Sequence, residues 1–489
     1  MTAASMTPAA ASSSRQQPFT LVTPFLRSAL LLGAAAGFAL ATVLSVTMGF
    51  RLPLGVWWVA LAQAHGRIQV FGWAGLFVLG VAFHFLPRLR GAPLRWPGWA
   101  RWALIVQVAG LLLRGVSQPL LALSPTAPVW QVALVASGAL EALGLGLAVA
   151  LLIGTMFQPN APALRARPAL WSVWPFLVCV MASLALSPLV NLVNTILAAR
   201  GGGVVPAQSD DAGVLLGLLG FLTPMALAMS ARALPLYAGL QAISRRIIWP
   251  VAGAYAVGLA LALAGDLGGA LGIGSAMAFS QLSGLGLALL GLAMMAFILV
   301  VGRMMSLRGR LPSQVRQLAP APEQVARNYA KHISDERARF GPYVALIASA
   351  YFWALVAGAL FTVDGFALAF GASAPVTLDA ARHSVAVGFI ALLLAGVSVR
   401  MIPGFSGGSI ATPRLVRALL WVGNGAALLR VGSLLAQPLL AALGSGGGAL
   451  DSALFGLSGP LGLAFAICLA ITLWPALPLA SSKASGAEA

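Results

Sequence analysis

An α-helix needs about 20 mostly apolar residues to cross the hydrocarbon core of a bilayer, and twelve such stretches run through this sequence. They lie at roughly 28–49, 63–87, 103–124, 128–156, 170–198, 212–238, 248–266, 276–302, 342–363, 381–403, 416–440 and 452–477. Hydrocarbon offers the backbone no hydrogen bonds, so such segments fold as helices; a β-barrel would alternate apolar and polar residues, and this chain does not. Only 8% of the 489 residues are charged, against about 25% in a soluble domain. A soluble enzyme and a single-span anchor are both excluded, and the expected fold is an all-α polytopic membrane protein. The first stretch is too long for a signal-peptide core and lacks a clear cleavage site, so it is expected to remain in the mature chain. Cys179 and Cys468 both fall inside spans, where a thiol acts as a small apolar side chain.

The net charge of +18 does not point to nucleic acid, because the bases sit in short loops rather than on one soluble face. They cluster on one side: Arg15 and Arg27, Arg88 to Arg101, Arg165 and Arg167, Arg245 and Arg246, the segment 303–341, and Arg414 with Arg417. The alternate loops hold little beyond Arg51, Arg200, Asp210, Asp211 and Asp379. The positive-inside rule then predicts cytoplasmic termini (1–27 and 478–489) and cytoplasmic even-numbered loops. Segment 303–341 carries seven Arg, Lys331, His332 and three acids. A short helix between Glu323 and Arg339 is expected there, on the membrane surface and touching anionic lipid.

An internal repeat organises the spans. A shift of 316 residues carries Gly72, Gly80, Pro87 and Gly91 of span 2 onto Gly388, Gly396, Pro403 and Gly407 of span 10, and Arg114 of span 3 onto Arg430 of span 11. A shift of 148 carries Gly72, Pro87 and Gly91 onto Gly220, Pro235 and Gly239 of span 6. His84, Arg232 and Arg400 stand three residues before the respective prolines. The pattern predicts three four-helix repeats, 28–157, 170–302 and 342–477, in a pseudo-threefold ring with spans 2, 6 and 10 innermost. The paired glycines either admit a neighbouring helix or flank a flat ligand.

Chemistry-bearing residues are few. Of four histidines, His332 is in the basic loop and His84 near the inner end of span 2, whereas His65 and His383 lie at similar depth near the outer ends of two inner helices. Their two-residue offset against the repeat turns them about 200° apart on their helices, as a ligand gripped between spans 2 and 10 requires. Two neutral imidazoles on one metal suit a bis-histidine haem, b-type by expectation. Arg67 and Arg382 adjoin them as partners for haem propionates, or as snorkelling side chains. Copper is doubtful, since such a site wants about three His or Cys ligands, and Met225 and Met229 read more simply as packing. Arg114, Glu141 and Arg430 are charges well inside spans, costly there and therefore functional candidates. They support an alternative reading, a secondary transporter with an anion path lined by buried Arg and Glu.

The twelve spans in three arcs, the His65-Gly66 pair followed by Gly72, and His383 on span 10 resemble the haem-copper oxidase subunit I architecture. The run His383, Gly388, Gly396, Pro403, Gly407, with Arg400 inside it, more closely resembles the NnrS family of haem- and copper-containing bacterial membrane proteins linked to nitric oxide metabolism. The resemblance implies low-spin haem on His65 and His383, a bacterial cytoplasmic membrane, and a redox partner or nitric oxide as partner. Spans 6 and 7 lack the histidine cluster of an oxidase copper and high-spin haem pair, so oxygen reduction is not expected.

Overall fold

The computed structural model describes residues 19–238, 243–272, 274–306, 331, 334–442 and 448–478. Among these the chain is helical without strands, and twelve helices are long and apolar enough to cross a membrane. They are Thr23–Gly49, Val56–Arg90, Trp99–Leu123, Pro128–Met156, Trp174–Arg200, Ala207–Arg232, Arg245–Leu271, Ala276–Met304, Tyr343–Ala369, Leu378–Ser406, Pro413–Gln437 and Ala449–Ala476, numbered spans 1 to 12. Within the expected basic loop residues 334–340 are helical; Glu323 and His332 lie outside the described residues.

Burial separates two layers of helices. Spans 2, 6 and 10 bury 67%, 72% and 78% of their apolar windows, and every other span 61% or less. Around them successive outer spans pack together, 3 with 4, 7 with 8 and 11 with 12, and the groups are joined by contacts of 4 with 5, 8 with 9, and 12 with 1. The last contact closes the ring. There Ser45 donates to the Gly456 carbonyl at 3.0 Å, and Arg27 Nε to the Leu477 carbonyl at 2.9 Å.

Gly80, Gly220, Gly388 and Gly396 of the inner helices serve this packing and not a flat ligand. A methyl group at Gly80 would lie 2.7 Å from Phe25 of span 1, at Gly396 2.8 Å from Ile347 and at Gly388 2.5 Å from Trp353 of span 9. At Gly220 it would run into Ser183 of span 5. The small-residue explanation of that motif is the one the geometry favours. Gly91 and Gly407 end spans 2 and 10 in the left-handed conformation (φ 70° and 72°), where a side chain would be strained, and donate back to the carbonyls of Pro87 and Pro403.

Two further features fall in the register of the sequence repeat. Each inner helix widens into a π turn, at Ile68–Ala74, Leu215–Leu222 and Ser384–Ala391, and the shifts of 148 and 316 carry Ile68 onto Leu216 and Ser384. The same shifts carry Phe77 onto Met225 and Leu393, and Val81 onto Met229 and Val397; all six line one apolar cavity between the inner helices. A π turn displaces carbonyls from the α-helical ladder, and in hydrocarbon these need donors. Thr223 Oγ1 supplies one to Leu218 at 2.8 Å, and Tyr255 Oη one to Leu219 at 2.5 Å. Span 1 has its own π turn, Gly33–Phe38, whose Gly37 carbonyl lies 2.9 Å from His65 Nδ1.

Candidate haem site and buried charge network

His65 stands in the third turn of span 2, just before its π turn, and His383 in the second turn of span 10, likewise just before its π turn. His65 is close enough to His383, Asp379 and Arg430 to feel their charges. Both rings are held by Nδ1. That of His65 meets the Gly37 carbonyl, and that of His383 lies 2.9 Å from both the backbone carbonyl and the carboxylate Oδ1 of Asp379. A carbonyl at Nδ1 fixes the ring and leaves Nε2 as the basic nitrogen. Neither Nε2 has a protein partner among the described residues.

These side chains lie at the end of the bundle opposite the arginine clusters. His383 and Asp379 keep 23% and 40% of their side-chain surface there, and a Cβ added at Gly66, beside His65, would meet nothing within 4 Å. Two imidazoles with Nδ1 anchored and Nε2 unpartnered are the type of donor that would hold a haem iron. Among the described residues no group of three or more His, Cys, Asp or Glu is placed to hold a metal ion.

The arginines expected at the propionates and along an anion path all face acids. Arg67 Nε donates to Glu141 Oε2 at 2.7 Å, and Arg67 covers the Phe71 ring at 3.8 Å. It is buried by this pairing and does not snorkel. Arg382 pairs with Asp211 at 2.7 Å, and Arg430 with Asp379 at 2.8 Å. Arg114 donates to Gln118 at 2.9 Å and to Asn191 at 2.6 Å, and lies 3.9 Å from Glu141. Gln118 continues the network to Gln63 at 3.1 Å, and Gln63 bonds the backbone of Val205 in both directions at 2.9 Å. This compensation removes the uncovered positive charge that an anion path needs. Arg67 Nη2, Glu141 Oε1 and Asn191 Nδ2 are buried without partners, the pattern of groups that bind internal water.

Two acids, Asp211 and Asp379, were missed as partners. Asp210, Asp211 and Asp379 read as loop residues, but spans 6 and 10 begin at Ala207 and Leu378 and include them. The available signal was the cost of an intramembrane arginine, which calls for an acid at matching depth. His84 is buried near the far end of span 2, its ring edge-on to Phe19 with centroids 5.3 Å apart and its Nε2 unpartnered; it lies at the opposite end of the span from His65. Arg400 pairs instead with Glu336, at 2.9 Å, at the arginine-rich end.

No family model matches the chain, and no curated protein does. Among solved structures the chain is similar to one described as a haem-copper terminal oxidase dimer, with TM-score 0.62 and 14% identity over 94% of this chain and 84% of that one. The likeness at this identity establishes a shared fold: twelve membrane helices in the arrangement of a haem-copper oxidase's large subunit.

Proposed function

We propose that the chain is a haem-binding integral membrane protein in which His65 and His383 hold one low-spin haem between spans 2 and 10. The observation that carries this reading is the pair of imidazoles on two inner helices, each anchored at Nδ1 with Nε2 unpartnered. The oxidase-like fold supports it. A bis-imidazole haem supplies one-electron transfer and has no open position for a gas. Arg67 and Arg430 are paired with Glu141 and Asp379, and each keeps one buried nitrogen, Nη2 and Nε respectively, without a hydrogen-bond partner; these are the donors left for a propionate.

The finer reading puts the protein beside the NnrS type, in redox or nitric oxide stress, with the arginine-rich end in the cytoplasm of a bacterium. It is supported by the run from His383 to Gly407 and by the loop charges. The division into repeats 28–157, 170–302 and 342–477 belongs to the same reading, supported by the matched π turns and cavity walls. An absorption spectrum of the purified protein tests the haem. A Soret band is expected, lost or strongly altered in His65→Ala and in His383→Ala but kept in His84→Ala and His332→Ala. Unchanged spectra in both of the first two variants would refute the assignment.

A further inference from the structure

The two rings are anchored differently. His65 Nδ1 meets a neutral acceptor, the Gly37 carbonyl of span 1. His383 Nδ1 meets Asp379, whose backbone carbonyl and carboxylate Oδ1 are both 2.9 Å away. Thr377 Oγ1 accepts from the Asp379 amide at 3.3 Å and fixes the start of this helix. The other carboxylate oxygen receives Arg430 Nη2 from span 11 at 2.8 Å. Arg382, adjacent to His383 in sequence, is directed away to Asp211 of span 6. The carboxylate of Asp379 therefore stands between the ring of His383 on one side and a guanidinium on the other.

Resting on the haem reading above, we propose that Asp379 is a positioning residue that sets the reduction potential through His383, with Arg430 as its counterweight. An acceptor at Nδ1–H raises the electron donation of the opposite nitrogen, and a full negative charge does so more than a carbonyl dipole. The oxidised iron, which carries one more positive charge than the reduced iron, gains most, so the carboxylate lowers the potential. Arg430 withdraws part of that charge and acts in the opposite sense. His65 has no carboxylate at Nδ1 and contributes no such bias.

The test is a redox titration of the haem in wild type, Asp379→Asn, Asp379→Glu and Arg430→Gln, with haem uptake read from the Soret band. Asp379→Asn keeps the backbone carbonyl that anchors the ring, so haem is retained. Its ratio of reduced to oxidised haem at a fixed potential is expected to rise about tenfold, an upward shift of about 59 mV for one electron. Asp379→Glu restores most of the wild-type value, and Arg430→Gln moves the potential downward. Shifts of the same sign in the Asn and Gln variants, or a change below about twofold in Asp379→Asn with haem retained, overturn the role of Asp379 and leave the haem reading standing. A Soret band that is absent from wild type, or indifferent to both His65 and His383, overturns both.

Discussion

Replacing Glu141 by Met tests whether the buried charges of spans 2, 3 and 4 act as one unit. The carboxylate is fully buried, 2.7 Å from Arg67 Nε and 3.9 Å from Arg114 Nη1, and the two guanidiniums are 9% and 3% exposed. Removing it leaves two cations in a low-dielectric interior, and breaking a buried pair in this way costs about 3–5 kcal/mol. The double variant Arg67→Met with Glu141→Met removes charge from both sides, and buried pairs replaced by apolar groups of similar volume are often neutral or stabilising. Arg114 keeps Gln118 and Asn191 in that background, so the double variant is expected to recover most of the loss. The assay is unfolding in mixed detergent followed by tryptophan fluorescence, run as a double-mutant cycle. A cost below about 1 kcal/mol for Glu141→Met, or a double variant that is merely the sum of the singles, would refute the reasoning.

The Arg382–Asp211 pair makes the contrasting case: with side chains 29% and 36% exposed, solvent screening holds the cost of Arg382→Gln to about 0–1 kcal/mol in the same assay. Gly388→Ala puts a methyl group 2.5 Å from Trp353, and the overpacking should cost about 1–3 kcal/mol; a melting temperature equal to wild type would show that span 9 yields freely. A reporter fused to the C-terminus should be active in the cytoplasm, and periplasmic activity would reverse the orientation. In an experimental structure, superposing spans 1–4, 5–8 and 9–12 should bring Pro87, Pro235 and Pro403 together; prolines that fail to overlay would reduce the repeat to coincidence.

Hydropathy located the membrane helices well because the apolar run is itself the cause of the helix in hydrocarbon. The stretch at 128–156 coincides with Pro128–Met156. Span 2 begins earlier than its apolar run, at Val56, because Gln63, His65 and Arg67 depress hydropathy while their partners Val205, Gly37 and Glu141 make burial tolerable. Those partners lie on spans 1 and 4 and in the connection before span 6, and could not be read from local pattern. His65 and His383 were visible by rarity and depth. Their surroundings were not, since Asp379 looks like a loop acid until the helix of span 10 is extended to Leu378. The π turns were invisible as well: nothing in Ile68–Ala74 distinguishes it from an ordinary apolar helix segment.

Those π turns also set where the chain tolerates a change of length. A π turn closes its hydrogen bonds one residue further along than an α turn, so one residue removed from Leu215–Leu222 is absorbed locally as the turn tightens to α-helix. Met225, Met229 and Ser230 beyond it keep facing the central cavity. One residue removed from the α-helical stretch below the π turn instead rotates everything after it by about 100°, turning those walls away. Each inner helix thus contains a short window in which a single-codon deletion is silent for the register of its far half, flanked by sequence in which the same deletion misaligns the ring.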